Sequence, residues 1–108
     1  MSEDYVSVKR AELQSKLEDI LGSTHVYFEP PENVKMQYPC IVYERDAGDI
    51  VFANNNPYRF EVRYNITAIS RKADNPILGK LALALPKIRY DRHFVSNGLH
   101  HDVFAVYY

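Results

Sequence analysis

The residues of this chain that come nearest to chemistry are His93, His100 and Asp102. They flank Asn97-Gly98, the strongest short signal for a two-residue hairpin turn. If that turn forms, Ser96 faces Leu99, His93 faces Asp102, and His100 lies diagonal to His93 on the same face. Two imidazoles and one carboxylate are a donor set for a divalent transition metal. The sequence supplies little else for such a site. A hairpin tip is exposed, and no general base or outer partner for the imidazoles accompanies the three. The expectation is a solvated His–Asp pair without metal, and a metal-dependent hydrolase built on these residues ranks last among the readings.

Other reactive constellations fail sooner. Cys40 is the only cysteine, so no intramolecular disulfide and no thiolate zinc cluster can form within one chain. Its apolar neighbours raise the thiol pKa rather than activate it. The four glycines are isolated, which excludes a phosphate-cradling loop, and no serine sits in a G-x-S-x-G elbow. Lys87, Arg89 and Arg92 with Tyr90 could mimic a nucleic-acid stripe, but strict alternation assigns them to different faces. No catalytic residue, cofactor site or metal ligand is expected.

The elements that would position these residues follow from periodicity and punctuation. Leu13, Leu17, Ile20 and Leu21 share one face of a helix over Ser7–Leu21, with Ser7 as cap and Gly22 as stop. His25–Phe28 is a short strand ended by Pro30-Pro31, and Glu29–Gln37 is a loop. Cys40–Arg45 is a strand whose apolar run suggests burial on both faces. Asp46–Pro57 reads as a long loop, because Ala47-Gly48 and Asn54-Asn55-Asn56-Pro57 are turn chemistry.

Tyr58–Ser70 alternates cleanly as a strand, with Phe60, Val62, Tyr64 and Ile66 on the packed face. Asn75-Pro76 opens a second helix carrying Ile77, Leu78, Leu81 and Leu85, and Pro86 ends it. Strands Lys87–Val95 and His100–Tyr108 complete the order α-β-β-β-α-β-β. The expected fold is α+β: one domain over residues 1–108, a single mainly antiparallel sheet, and two helices packed on one face.

With 108 residues the chain can bury one core without staples. A formal net charge of −1 gives no dominant field for a nucleic-acid backbone. No apolar stretch is long enough to span a bilayer, so no membrane partner is expected. The segment MSEDYVSVKR lacks the apolar core of a signal peptide, which implies synthesis in the cytoplasm. Nine tyrosines and no tryptophan fit both a β-rich fold and a contact surface.

The segment Asp49-Ile50-Val51-Phe52-Ala53 is an apolar patch between polar turns, and contiguous exposed patches mark contacts. Asp49, Ile50, Val51, Phe52, Asn54 and Asn55 are therefore the candidate interface residues. The competing expectation is that Ile50, Val51 and Phe52 fold back on the core or form a short strand.

One wider pattern runs from Leu13 to Tyr108. It comprises Leu13-x3-Leu17-x2-Ile20-Leu21-Gly22, Val26-Tyr27-Phe28, Pro30-Pro31-Glu32, Met36 and Tyr38-Pro39-Cys40-Ile41-Val42-Tyr43, then the alternating strand, the second helix, Tyr90-Asp91-Arg92 and the closing hairpin. This resembles the small tail-completion or tail-terminator proteins of bacteriophages with long non-contractile tails.

The resemblance implies a homo-oligomeric, hexameric ring in the virion, at the head–tail interface. Such a ring caps the tail tube protein and meets head-side connector proteins, and DNA passes its lumen without sequence-specific contact. The alternatives are another ring of that junction, such as an adaptor or head-completion protein, or a host-encoded small-molecule or peptide-binding α+β domain.

Overall fold

Helix α1 spans Tyr5–Leu21 and presents Leu13 and Leu17, both fully buried, to the sheet. It starts two residues before the expected Ser7, which lies exposed inside the helix and does not cap it. Gly22 ends it in the left-handed region at φ +81°, with its N–H on the Glu18 carbonyl at 2.8 Å. The structure, a computed structural model, describes residues 5–53 and 56–108, with side chains described in that range except at 49–53 and 56–59.

Strands β1 (Val26–Phe28), β2 (Cys40–Ala53) and β3 (Asn56–Ser70) come next, then α2 (Ile77–Ala84), β4 (Ile88–Ser96) and β5 (Leu99–Tyr107). Among the described residues these strands form one five-stranded sheet in the order β1-β2-β3-β5-β4. Only the β1–β2 pair is parallel. The α+β class and the order α-β-β-β-α-β-β are as the sequence implied.

Alternation along β3 divides the sheet into two faces. Val62, Tyr64, Ile66 and Ala68 point inward and join Ile41, Tyr43, Phe104 and Val106 in one buried cluster. Leu13 and Leu17 of α1 enter that cluster with Ile77, Leu81 and Leu85 from the α2 segment, so both helices cover the same face. The opposite face carries no helix and shows Glu61, Arg63, Asn65 and Thr67, all half-buried.

Gln14 ties α1 to the sheet. Its Oε1 accepts from the Tyr43 hydroxyl at 2.5 Å and its Nε2 donates to the Val26 carbonyl at 3.1 Å. A second tie involves β5. The Tyr108 ring sits under two lysines of α1, with Lys9 Nζ 4.5 Å and Lys16 Nζ 4.9 Å from its centroid. Its hydroxyl donates to Glu12 at 3.3 Å.

Asn75 performs the capping expected of it. Pro76 already has helical angles, φ −66° and ψ −17°, and Asn75 Oδ1 accepts the Ile77 N–H at 3.2 Å. Asn97 and Gly98 both take positive φ, +54° and +75°, as a type I′ hairpin turn requires, and Ser96 pairs with Leu99.

The expected loop over Asp46–Pro57 is corrected. β2 continues through it to Ala53 and pairs with β3 down to Asn56. Ala47-Gly48, which resembles turn chemistry, lies within the strand just past a register shift between Arg45 and Ala47 that leaves Asp46 unpaired. Glycine is needed there for a steric reason. A β-carbon at Gly48 would stand 2.8 Å from the ring of Phe60.

Candidate functional site

The distal half of the β2–β3 hairpin is a two-stranded arm. β5 pairs with β3 only from Arg63 to Ser70, extended by one bond from Tyr108 N–H to the Val62 carbonyl. On the other side β1 covers β2 only at Ile41–Tyr43. Beyond these limits the backbones of Asp49–Ala53 and Asn56–Glu61 form a ladder with each other and with no third strand among the described residues. Six strand residues reach roughly 20 Å, and the molecule measures 50 × 25 × 22 Å. Isolated two-stranded ribbons are marginal in water, so the arm is a segment in want of a partner.

The candidate interface residues fall on this arm. Asp49, Ile50, Val51 and Phe52 belong to β2, opposite Glu61, Phe60, Arg59 and Pro57. They are strand residues and not loop residues, and belong to the 14-residue β2 rather than to a separate short strand. Asn54 and Asn55 lie outside the described residues.

A second exposed feature is strand β4. It is an edge strand, and every residue from Arg89 to Ser96 is exposed. Tyr90, Phe94 and Val95 have 54%, 40% and 55% of their surface open. A register shift between Tyr90 and Arg92 leaves Asp91 unpaired. This bulge corrects the expectation that alternation separates Arg89 from Arg92. The extra residue resets the phase, so Arg89 lies opposite Ala105 and Arg92 opposite Val103, and both point to the helix-free face. The surrounding charge is mixed: Arg63 pairs with Asp46 at 2.5 Å, Lys87 with Glu61, and Arg92 with Asp91 at 2.6 Å.

The histidine cluster assembles differently from the expected His–Asp pair. His93 is in register with Asp102, as the turn dictates. Yet its imidazole stacks on His100, with centroids 5.3 Å apart and Nε2 3.1 Å from His100 Nδ1. That bond needs a lone pair on one of the two nitrogens, so the pair holds at most one shared proton in this geometry.

Asp102 is only 3% exposed, so it is not a solvated carboxylate. Its Oδ1 accepts from the Tyr90 hydroxyl at 2.7 Å, and its buried Oδ2 has no partner among the described residues. Hydrogen bonding to that carboxylate raises the Tyr90 pKa above 10.0. No group of three or more His, Cys, Asp or Glu side chains placed to hold a metal occurs among the described residues.

The burial of Asp102 escaped the sequence reading, although a signal for it existed. Asp102 shares its period-two stripe with Phe104 and Val106, which are core residues. Tyr90 is opposite Phe104 in that same layer, and the rings meet edge to face at 5.2 Å.

Cys40 is fully buried, and burial alone pushes its thiol up to about 11. A cavity of about 400 Å³ opens beside α2, lined by Leu21, Tyr38, Ile77, Arg71 and Lys80 among others. Its lining is largely apolar, with Ser70, Lys72 and Asn75 among its polar residues. No helix of the described residues is long and apolar enough to cross a membrane.

Comparison of the chain with protein-family models gives no match, and comparison with curated protein sequences gives none either.

Proposed function

We propose that this chain is a structural virion protein that forms a ring, by resemblance a hexamer, on the end of a long non-contractile bacteriophage tail. The ring caps the tube protein, stops its polymerisation and offers its other side to the head-side connector. It works at the head–tail interface after synthesis in the bacterial cytoplasm, and DNA traverses its lumen without sequence readout.

The observation that carries this reading is the arm. A protomer 50 Å long, with a two-stranded ribbon projecting from its sheet, has a surface that neighbouring protein must cover. Ring assembly also requires two different surfaces per protomer, because heterologous contacts join unlike patches. The arm and the β4 edge meet that requirement. The near-neutral chain agrees with a lumen that lets DNA pass without holding it. The tube and connector are named as partners on the resemblance of the pattern from Leu13 to Tyr108 alone.

The test is electron microscopy of purified tail tubes with and without the protein. A ring-shaped cap on one end and a fixed tube length are expected. Phe52→Ala with Ile50→Ser should abolish the cap and leave the monomer's unfolding midpoint unchanged. Uncapped tubes of unrestricted length in the presence of the wild-type chain would overturn the reading. A double variant that unfolds much earlier while still capping would assign Ile50 and Phe52 to the monomer's own stability.

A further inference from the structure

We propose that neighbouring copies join by strand addition: the free edge of β2 in the arm of one copy pairs with the open edge of β4 in the next. This rests on the ring reading above and names the contact that builds the ring.

Four features of the fold carry the inference. The first is sidedness. In the order β1-β2-β3-β5-β4, the free edge of β2 and the free edge of β4 face opposite ways across the sheet. Copies laid side by side therefore bring these two edges together. The second is direction. β2, β3, β5 and β4 are successively antiparallel, so β4 runs against β2, and two copies in the same orientation pair them antiparallel.

The third is access. β1 blocks β2 only up to Tyr43, which leaves the backbone edge open from Glu44 to Ala53. β4 is exposed from Arg89 to Ser96, with Val95 55% open and Phe94 40% open although its ring stacks on His101 at 4.5 Å. Such an edge invites pairing. The bulge at Asp91 leaves Arg92–Ser96 as a regular run, and the shift after Arg45 leaves Ala47–Val51 as another. Each run is five residues, so the two edges match in length.

The fourth is charge. The β4 edge with its leading residue carries Lys87, Arg89 and Arg92 against Asp91 alone. The β2 edge carries Glu44, Asp46 and Asp49 against Arg45 alone. Pairs within the chain already take up Asp46, Lys87, Asp91 and Arg92 and reduce this contrast. Setting them aside, β4 keeps Arg89 and β2 keeps Glu44 and Asp49 against Arg45, so the sign still favours β4 meeting β2. Strand β1 is too short to serve, at three residues.

The arm and the Arg92–Ser96 run also lie toward opposite ends of the strand direction. β3 pairs with the arm through Asn56–Glu61, and its other end, at Ser70, adjoins the β4–β5 turn through His100. Each copy is thus staggered along the strands and reaches back to its neighbour. A head-to-tail contact of this kind builds a ring when the rotation at each step closes the series.

The experiment uses the whole chain and two edge variants, Val95→Pro, which removes a backbone donor from the free edge of β4, and Asp49→Lys, each checked for an unchanged unfolding midpoint. Assembly is read by sedimentation velocity over a concentration series and by cap occupancy on tail tubes. Each variant alone should associate at least about tenfold more weakly than wild type. An equal mixture should form pairs of two chains and stop there. Such a pair uses up the one unaltered arm and the one unaltered β4 edge, and only the two altered surfaces are left open. That product is expected only of a head-to-tail contact.

If both variants assemble and cap as the wild type does, strand addition is wrong and the ring reading stands. If the wild type neither associates nor caps tubes, both fall together. If the mixture assembles no better than its parts, the two edges are not each other's partners and the proposal fails.

Discussion

The Tyr90 hydroxyl donates to Asp102 Oδ1 at 2.7 Å, and it is the sole hydrogen-bond partner of that buried carboxylate among the described residues. A half-exposed tyrosine thus secures the most deeply placed charge in the β4–β5 hairpin. Tyr90→Phe strips Asp102 of that partner and should lower the unfolding midpoint, since an unsatisfied buried carboxylate costs more than the bond itself contributes. Adding Asp102→Leu should recover much of the loss. A Tyr90→Phe protein as stable as wild type would show that Asp102 does not depend on it.

The same bond gives a pH signature. The Tyr90 pKa is raised above 10.0 by Asp102. A weak acid whose pKa is higher in the folded state stabilises fully below the unfolded value and loses that contribution as pH rises through the folded one. Wild type should therefore lose stability above about pH 10, and Tyr90→Phe should lose less over that window. Parallel chemical-denaturation curves at pH 8 and in that alkaline range measure the difference.

Gly48 underlies the base of the arm because the Phe60 ring leaves it no room for a side chain. Gly48→Val should cost about 1–3 kcal/mol, the usual range for overpacking. Phe60→Ala should relieve the clash, so the double variant should be less unstable than the sum of the singles. Equilibrium unfolding of the four proteins provides the cycle. Additive effects would mean that the ring and the glycine do not meet.

That glycine also explains where sequence reasoning stops. Ala47-Gly48 has the composition of a turn, and only the ring across the hairpin distinguishes a turn glycine from a close-approach glycine. Tyr58–Ser70 and Asn97-Gly98 were readable because alternation and I′ turn chemistry are local. The faces of Arg89 and Arg92 were not, because the bulge at Asp91 leaves no local mark. Asp102 lies between these cases: its stripe was visible, but a carboxylate among core residues becomes credible only when the Tyr90 hydroxyl is found beside it.

Cys40 should be inert in the folded chain. It is fully buried, with its thiol pushed up to about 11 from 9.0. A thiol-specific chromogenic reagent at pH 8 should modify less than a tenth of the protein (an order-of-magnitude expectation of about 0.1 per chain) until denaturant is added. Stability linked to this thiol is complete below pH 9.0 and is lost as pH rises toward about 11. Rapid modification of native protein would contradict the burial.

The stacked imidazoles contribute little to folding, because His93 is exposed and His100 only half-buried. His93→Asn with His100→Asn should shift stability by no more than about 0.5 kcal/mol. Stoichiometric metal in the purified wild-type chain, lost in this variant, would reopen a metal-dependent role for the pair.

Glu12 and Tyr108 meet across 96 residues of chain. On the ribosome, helix α1 emerges early and waits for that cover until β5 has been made, while β3 waits for the same strand to complete its inner hydrogen-bond ladder. Leu13 and Leu17 have partners made sooner, in the cluster with Ile41, Tyr43, Tyr64 and Leu81, so only the Tyr108 tie must wait for the far end of β5. Closing so distant a pair comes late and favours slow folding. Until Tyr108 arrives, Lys9, Glu12 and Lys16 lack the ring that ties them to the sheet, and this tie is among the late contacts of the fold.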